Sequence, residues 1–171
     1  MQKINFKILN YCLLILFATG FNAEAVHSAN EIVLLSDLNF TSHFFGAIPI
    51  KEKMQIFHQT KLLGEPNWNP KEFISDPLVS VNSFEVGKDS DNNLLVGWLG
   101  ENTNLGIYSL YIRYYVASTN KWSAINMVSD LSENLTGNYS IMINSVQAEI
   151  IWTSFDESYN IEQHSATFSL I

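Results

Sequence analysis

Side chains able to do chemistry are sparse in this 171-residue chain, and their spacing says more than their number. The four histidines, His27, His43, His58 and His164, show neither an H-x-H nor an H-E-x-x-H spacing, so no zinc site is written into the local sequence. Asp89-Ser90-Asp91-Asn92-Asn93 begins like an oxygen-rich calcium loop. Leu94 then stands where the sharp-turn glycine belongs and Gly100 where the bidentate glutamate belongs, so the segment reads as a hairpin turn. There is no G-x-S-x-G elbow, and the eight glycines are dispersed rather than gathered into a phosphate-binding loop. No motif sets two carboxylates at glycosidase separation. The expectation is no catalytic residue, no metal site and no cofactor, with no ligand-binding residue singled out and enzymatic activity doubtful.

The aromatic residues carry more pattern. Tyr108, Tyr111, Tyr114 and Tyr115 crowd one segment, where Tyr111 and Tyr115 share a side and either meet a ligand or partner or pack across a sheet. Trp68, Trp98, Trp122 and Trp152 form two pairs with an internal spacing of 30 and an offset of 54. Ile74-Ser75-Asp76 falls on Val128-Ser129-Asp130 at that offset, and Ile112, Tyr114 and Val116 fall on Ala166, Phe168 and Leu170 with a period of two. A period of two belongs to strands, so the repeated unit is a sheet. A buried indole covers about 150–250 Å², an upper bound of about 4–6 kcal/mol, so packing is preferred over a sugar-stacking platform as the role of the tryptophans.

The elements that must position these side chains are strands throughout. Ser83 to Lys88 and Leu94 to Trp98 flank the Asp89–Asn93 turn, Ile107 to Ala117 is the longest strand, and Ser140 to Asn144 and Ala148 to Trp152 flank a shorter turn. Phe44 to Ile50 and Met54 to Gln59 lie around a Lys-Glu-Lys turn, and Ser36-Asp37 before them suggests a truncated first copy over 32–67, ahead of repeats at 68–121 and 122–171. Sustained helical spacing is missing beyond the N-terminal segment, so the expected fold class is all-β.

The unit W-S-x-x-x-x-V-S-D followed by an apolar strand ending in Trp occurs as Trp122-Ser123 to Asp130 with Ile150-Ile151-Trp152, and in related form as Trp68 to Asp76 with Val96-Gly97-Trp98. Over about residues 68–171 it resembles the blade repeats of bacterial secreted sialidase-like β-propellers. The resemblance implies antiparallel four-stranded blade-like repeats forming a partial propeller, with a small β-sandwich as the alternative. It does not carry the activity over. Sialidases hold the substrate carboxylate with three arginines, whereas Arg113 is the single arginine here, and the Asp-box S-x-D-x-G-x-T-W is absent. Propellers usually close with four to eight blades. Two full repeats and one truncated copy therefore suggest assembly of several copies, a remnant of a longer propeller, or a sandwich.

Residues 1–25 read as a signal peptide. Lys3 and Lys7 precede the apolar run Tyr11 to Ala18, and Ala23-Glu24-Ala25 fits the small-x-small cleavage pattern, leaving Val26 first in a single domain over 26–171. The apolar run is shorter than the roughly 17–25 residues a membrane anchor needs, so the expectation is a secreted or periplasmic protein with no transmembrane segment after cleavage. Cleavage also removes Cys12, the sole cysteine, and with it any disulfide. Asn39, Asn134 and Asn138 begin N-x-S/T triplets, which take glycans only in a eukaryotic secretory route.

Charge excludes one class of partner. Nine basic residues against seventeen acidic ones give a net charge of -8, and nucleic-acid binding needs a basic stripe this chain cannot build. The reading is an uncharacterised exported β-propeller-like protein, non-enzymatic, acting as a binding or interaction module on a protein or glycan surface, with homo-oligomers among its expected forms. The alternatives are a sialidase-like carbohydrate-active enzyme and a degenerate fragment of a longer propeller.

Overall fold

A computed structural model describes residues 33–37, 39–102 and 105–170. The signal-peptide reading over 1–25 and His27 lie outside the described residues. Among the described residues the chain is all-β, with every strand pairing antiparallel and no sheet closed into a barrel. The first sheet is β1 (Val33–Ser36), β2 (Thr41–Ile50), β3 (Lys53–Leu62) and β4 (Glu72–Phe73). The second is β5 (Ser80–Lys88), β6 (Leu94–Asn102), β7 (Ile107–Val116) and β8 (Lys121–Trp122), with β9 (Asn126–Met127) also on β7. The third is β10 (Asn134–Ile143), β11 (Gln147–Phe155) and β12 (Ile161–Ser169).

The sheets stack face to face in chain order, an arrangement that the sandwich alternative fits. The apolar run Leu94 to Leu99 is interrupted only by Gly97 because the second sheet is covered on both faces. Leu94, Val96 and Trp98 join a core with Phe45 and Ile56 of the first sheet, while Leu95 joins Ile141 and Ile150 of the third. Gly97 makes the close approach of the second and third sheets possible, and Gly100 makes room for Val79, which leads into β5. A Cβ on Gly97 would stand 2.7 Å from Ile141 Cγ2, and one on Gly100 would stand 2.3 Å from Val79 Cγ1.

The Ile/Val-Ser-Asp motif has a definite chemical task. The amide of Ile56 donates to Ser75 Oγ at 2.9 Å while Ile74 N donates to Ile56 O; one period later Leu110 N donates to Ser129 Oγ at 2.9 Å while Val128 N donates to Leu110 O. Where the short outer strand leaves the sheet, the serine hydroxyl thus satisfies a backbone donor that would otherwise be buried unpaired. The next residue starts the exit turn, with Asp76 Oδ1 accepting from Leu78 N and Asp130 Oδ1 from Ser132 N.

Ser36-Asp37 serves a different purpose from Ser75-Asp76. Asp37 Oδ1 accepts from Asn39 N and Thr41 N, Asp89 Oδ1 from Asp91 N and Asn93 N, and Asp156 Oδ1 from Ser158 N and Asn160 N. The fourth residue of each turn, Phe40, Asn92 or Tyr159, has positive φ. One five-residue aspartate turn therefore closes β1–β2, β5–β6 and β11–β12.

The 54-residue superposition of Ile112 and Tyr114 on Ala166 and Phe168 needs correction. Trp98 pairs with Tyr111, whereas Trp152 pairs with His164, so the second hairpin is one residue shorter. A slip of one residue exchanges the faces of a strand. Arg113 and Tyr115 are consequently the counterparts of Ala166 and Phe168, and Ile112 lies on the opposite face.

Candidate functional site

A cleft of about 500 Å³ opens between the first and second sheets, beside their short outer strands. β3 brings His58, Gln59 and Thr60 to one wall, and β4 brings Glu72. The other wall comes from β7 with Arg113 and Tyr115 and from β8 with Lys121 and Trp122. Asn69 and Asn120 add amides from the loops. Alternation places Arg113 and Tyr115 together on the β7 face that meets the first sheet. Glu72 is the one carboxylate among the lining residues.

A buried relay stands behind this wall. His43 Nδ1 lies 3.1 Å from His58 Nε2, and His43 Nε2 faces Asp37 Oδ2 at 3.5 Å. The histidines are not directly opposite: His43 pairs with Thr60 and His58 with Phe45, so they are diagonal neighbours on one face of the β2–β3 hairpin. Phe45 stacks on His58 at 4.5 Å between centroids, and Trp122 meets it edge-on at 5.5 Å. Burial, reinforced by the neighbouring His43, pushes the His58 imidazole down to about 3. Burial also lowers His43, outweighing the upward pull of Asp37, and Lys88 adds to the lowering. Both rings are therefore neutral near neutral pH. An imidazole so weakly basic accepts hydrogen bonds but is a poor proton acceptor in catalysis.

Arg113 is largely occupied by structure. Its Nε donates to Ser123 O at 2.9 Å and its Nη1 to Phe73 O at 3.2 Å, which ties β4 to the second sheet, and its guanidinium lies 5.6 Å from the Trp122 ring. Tyr115 donates to Asn120 Oδ1 and is pushed upward, chiefly by burial and further by Asp37 and Glu72, so it stays a neutral phenol. The cleft thus offers amide, phenol, guanidinium, ammonium and imidazole groups beside an indole, with charges that nearly balance.

The structure separates the residues noticed in the sequence. Trp98 and Trp152 are buried, and Trp152 Nε1 donates to Glu133 Oε2; Trp68 is 37 % exposed and packs on Phe44 at the outer face of the first sheet. Only Trp122 reaches the cleft. Tyr115 lines it, whereas Tyr111 is buried against Trp98 and Tyr108 lies exposed elsewhere. His164 bonds Ser154 Oγ at 2.8 Å and stacks on Trp152, away from His43 and His58. Asp89 spends its oxygens inside its turn, with Oδ2 accepting from Asn93 Nδ2. Asn39, Asn134 and Asn138 are exposed.

Sequence reasoning missed the His43–His58 pair. Its signal was the Lys-Glu-Lys turn: counting outward from Lys51 and Glu52, which both have positive φ, brings the two histidines to one face. Comparison with known families, curated proteins and solved structures finds no match for this chain.

Proposed function

We propose that this chain is an exported, non-enzymatic binding module built of propeller-like units, and that the cleft between its first two sheets takes a hydroxyl-rich ligand of the glycan class. The observation that carries the reading is the lining of the cleft: His58, Gln59, Thr60, Asn69, Tyr115 and Trp122 with a single carboxylate, Glu72. A glycosidase needs two carboxyl groups flanking its bond. Sugar recognition needs many neutral donors and acceptors beside an aromatic face, and its sites fall in the volume range of this cleft.

The aspartate turn at the first hairpin and the serine clasp on the third strand recur in the first and second sheets and support the propeller-like reading, because they build these two sheets from one plan. Copies of the chain would then stack through the two outer sheet faces, and light scattering on purified protein should report a mass above that of one chain. A clean monomer counts against assembly.

Titration with neutral oligosaccharides, followed by NMR, tests the binding reading. The expected result is saturable shifts confined to residues around the cleft, weakened about 3- to 10-fold by Lys121→Ala, which removes an ammonium donor, or by Glu72→Gln, which replaces a carboxylate acceptor with an amide donor. Shifts elsewhere, or binding unaffected by both variants, would overturn it.

A further inference from the structure

Resting on that reading of the cleft, we propose that His58 is its specificity-determining acceptor: Asp37 and His43 hold the His58 ring in the tautomer with a bare Nδ1, so the cleft selects ligands that bring an O–H or N–H donor.

A carboxylate only accepts, and Asp37 Oδ2 stands 3.5 Å from His43 Nε2, outside hydrogen-bond geometry but close enough for its charge to favour an N–H there. A bare Nε2 there would set lone pairs against lone pairs, so Nε2 carries the proton. A neutral imidazole holds one proton, which leaves His43 Nδ1 as an acceptor. The group 3.1 Å away, His58 Nε2, must then donate. His58 is neutral in turn, so its proton is spent on His43 and Nδ1 is bare. The second nitrogen of a histidine is commonly set in this way by the hydrogen bond of the first.

The alternatives are closed by the surroundings. A cationic His43 would reverse the chain, but burial and Lys88 oppose that charge, and two adjacent cations are worse still. A flip of the His58 ring would put Cε1 where Nε2 meets His43 and so break the contact, but Phe45 covers its face and Trp122 abuts it edge-on. The other charged groups near this wall are Glu72, Arg113 and Lys121 on the cleft side. Asp37 and His43 are positioning residues, because neither lines the cleft.

The aspartate turn supplies a clean test. Asp37 Oδ1 holds the turn amides of Asn39 and Thr41 while Oδ2 faces His43. Asp37→Asn can keep the turn through Oδ1 and place an N–H where Oδ2 stood. That donor needs a bare His43 Nε2, which moves each proton along the chain and leaves His58 protonated on Nδ1.

Ring-nitrogen NMR on isotope-labelled protein reads the tautomers directly. The expected result is a bare Nδ1 and protonated Nε2 on His58 in the native protein, reversed in Asp37→Asn. A protonated Nδ1 in the native protein overturns the proposal whatever binds, and this measurement needs no variant to fold. Methyl glycosides of neutral hexoses are the binding probe. They should shift the His58 Nδ1 resonance, with affinity about 10-fold lower in Asp37→Asn, the upper end for one lost hydrogen bond. Shifts at Tyr115 and Trp122 without one at His58 Nδ1 would refute the acceptor role while the binding reading stands. No shift anywhere in the cleft would refute that reading, and the acceptor role with it.

Discussion

His43 and His58 lie with their imidazole planes only 5° apart and their facing nitrogens 3.1 Å from each other, although they come from different strands and are not cross-strand partners. The hairpin register and the packing of Phe45 and Trp122 impose this geometry, and burial keeps both rings uncharged.

The pair makes the fold sensitive to acid. The unfolded chain protonates His58 near its ordinary value of 6.5, whereas the folded chain resists until about 3. The unfolded state therefore binds more protons across that window, and stability falls as pH drops through it, by at most about 1.4 kcal/mol per pH unit for one such group. Urea unfolding measured at neutral and mildly acidic pH should show the loss, and His58→Leu should flatten the dependence. An equal acid slope in that variant would contradict the assignment.

Gly97 sets the spacing between the second and third sheets. Gly97→Ala forces a methyl against Ile141 Cγ2, and overpacking of this kind costs about 1–3 kcal/mol. Ile141→Ala removes the obstructing group, so the double variant should lose less than the two single losses added together. Denaturant midpoints for the four proteins check this non-additivity.

Arg113 fastens β4 through its forked geometry rather than its charge. Arg113→Lys keeps the charge but cannot reach both Ser123 O and Phe73 O. A loss of about 1–2 kcal/mol is expected, with faster hydrogen exchange at Ile74 N, which bonds Ile56 O where β4 ends. Unchanged exchange there would show that β4 is held by its pairing with β3 alone.

Asp89 is a turn residue, and its substitution should be felt in stability. Asp89→Ala deprives Asp91 N, Asn93 N and Asn93 Nδ2 of their acceptor at a buried site, an expected cost of about 1–3 kcal/mol, while Asp89→Asn retains two of the three bonds and costs less. Adding calcium, or a chelator, should leave the melting temperature of the native protein unchanged. A calcium-dependent rise would revive the metal-loop reading of this segment.

Much of the architecture is legible in local pattern. Alternating apolar residues between Asn, Asp and Gly clusters mark the strands, and the offset of 54 that relates Trp68 to Trp122 also relates the Ile56–Ser75 bond to the Leu110–Ser129 bond. Those features depend on residues close in sequence or on one strand meeting the next, so the sequence alone determined an all-β chain with a repeated plan. It also marked Trp122 and Tyr115, without saying that they share a wall. The tertiary structure decided which face each strand presents, and a hairpin one residue shorter was enough to align Arg113 with Ala166 rather than Ile112. It alone brought Asp37, His43 and His58 into line behind a cleft that Glu72 and Lys121 complete from different sheets. The reason is physical: a period of two specifies alternation along a strand, but register between strands and contact between sheets arise from packing, which no local spacing encodes.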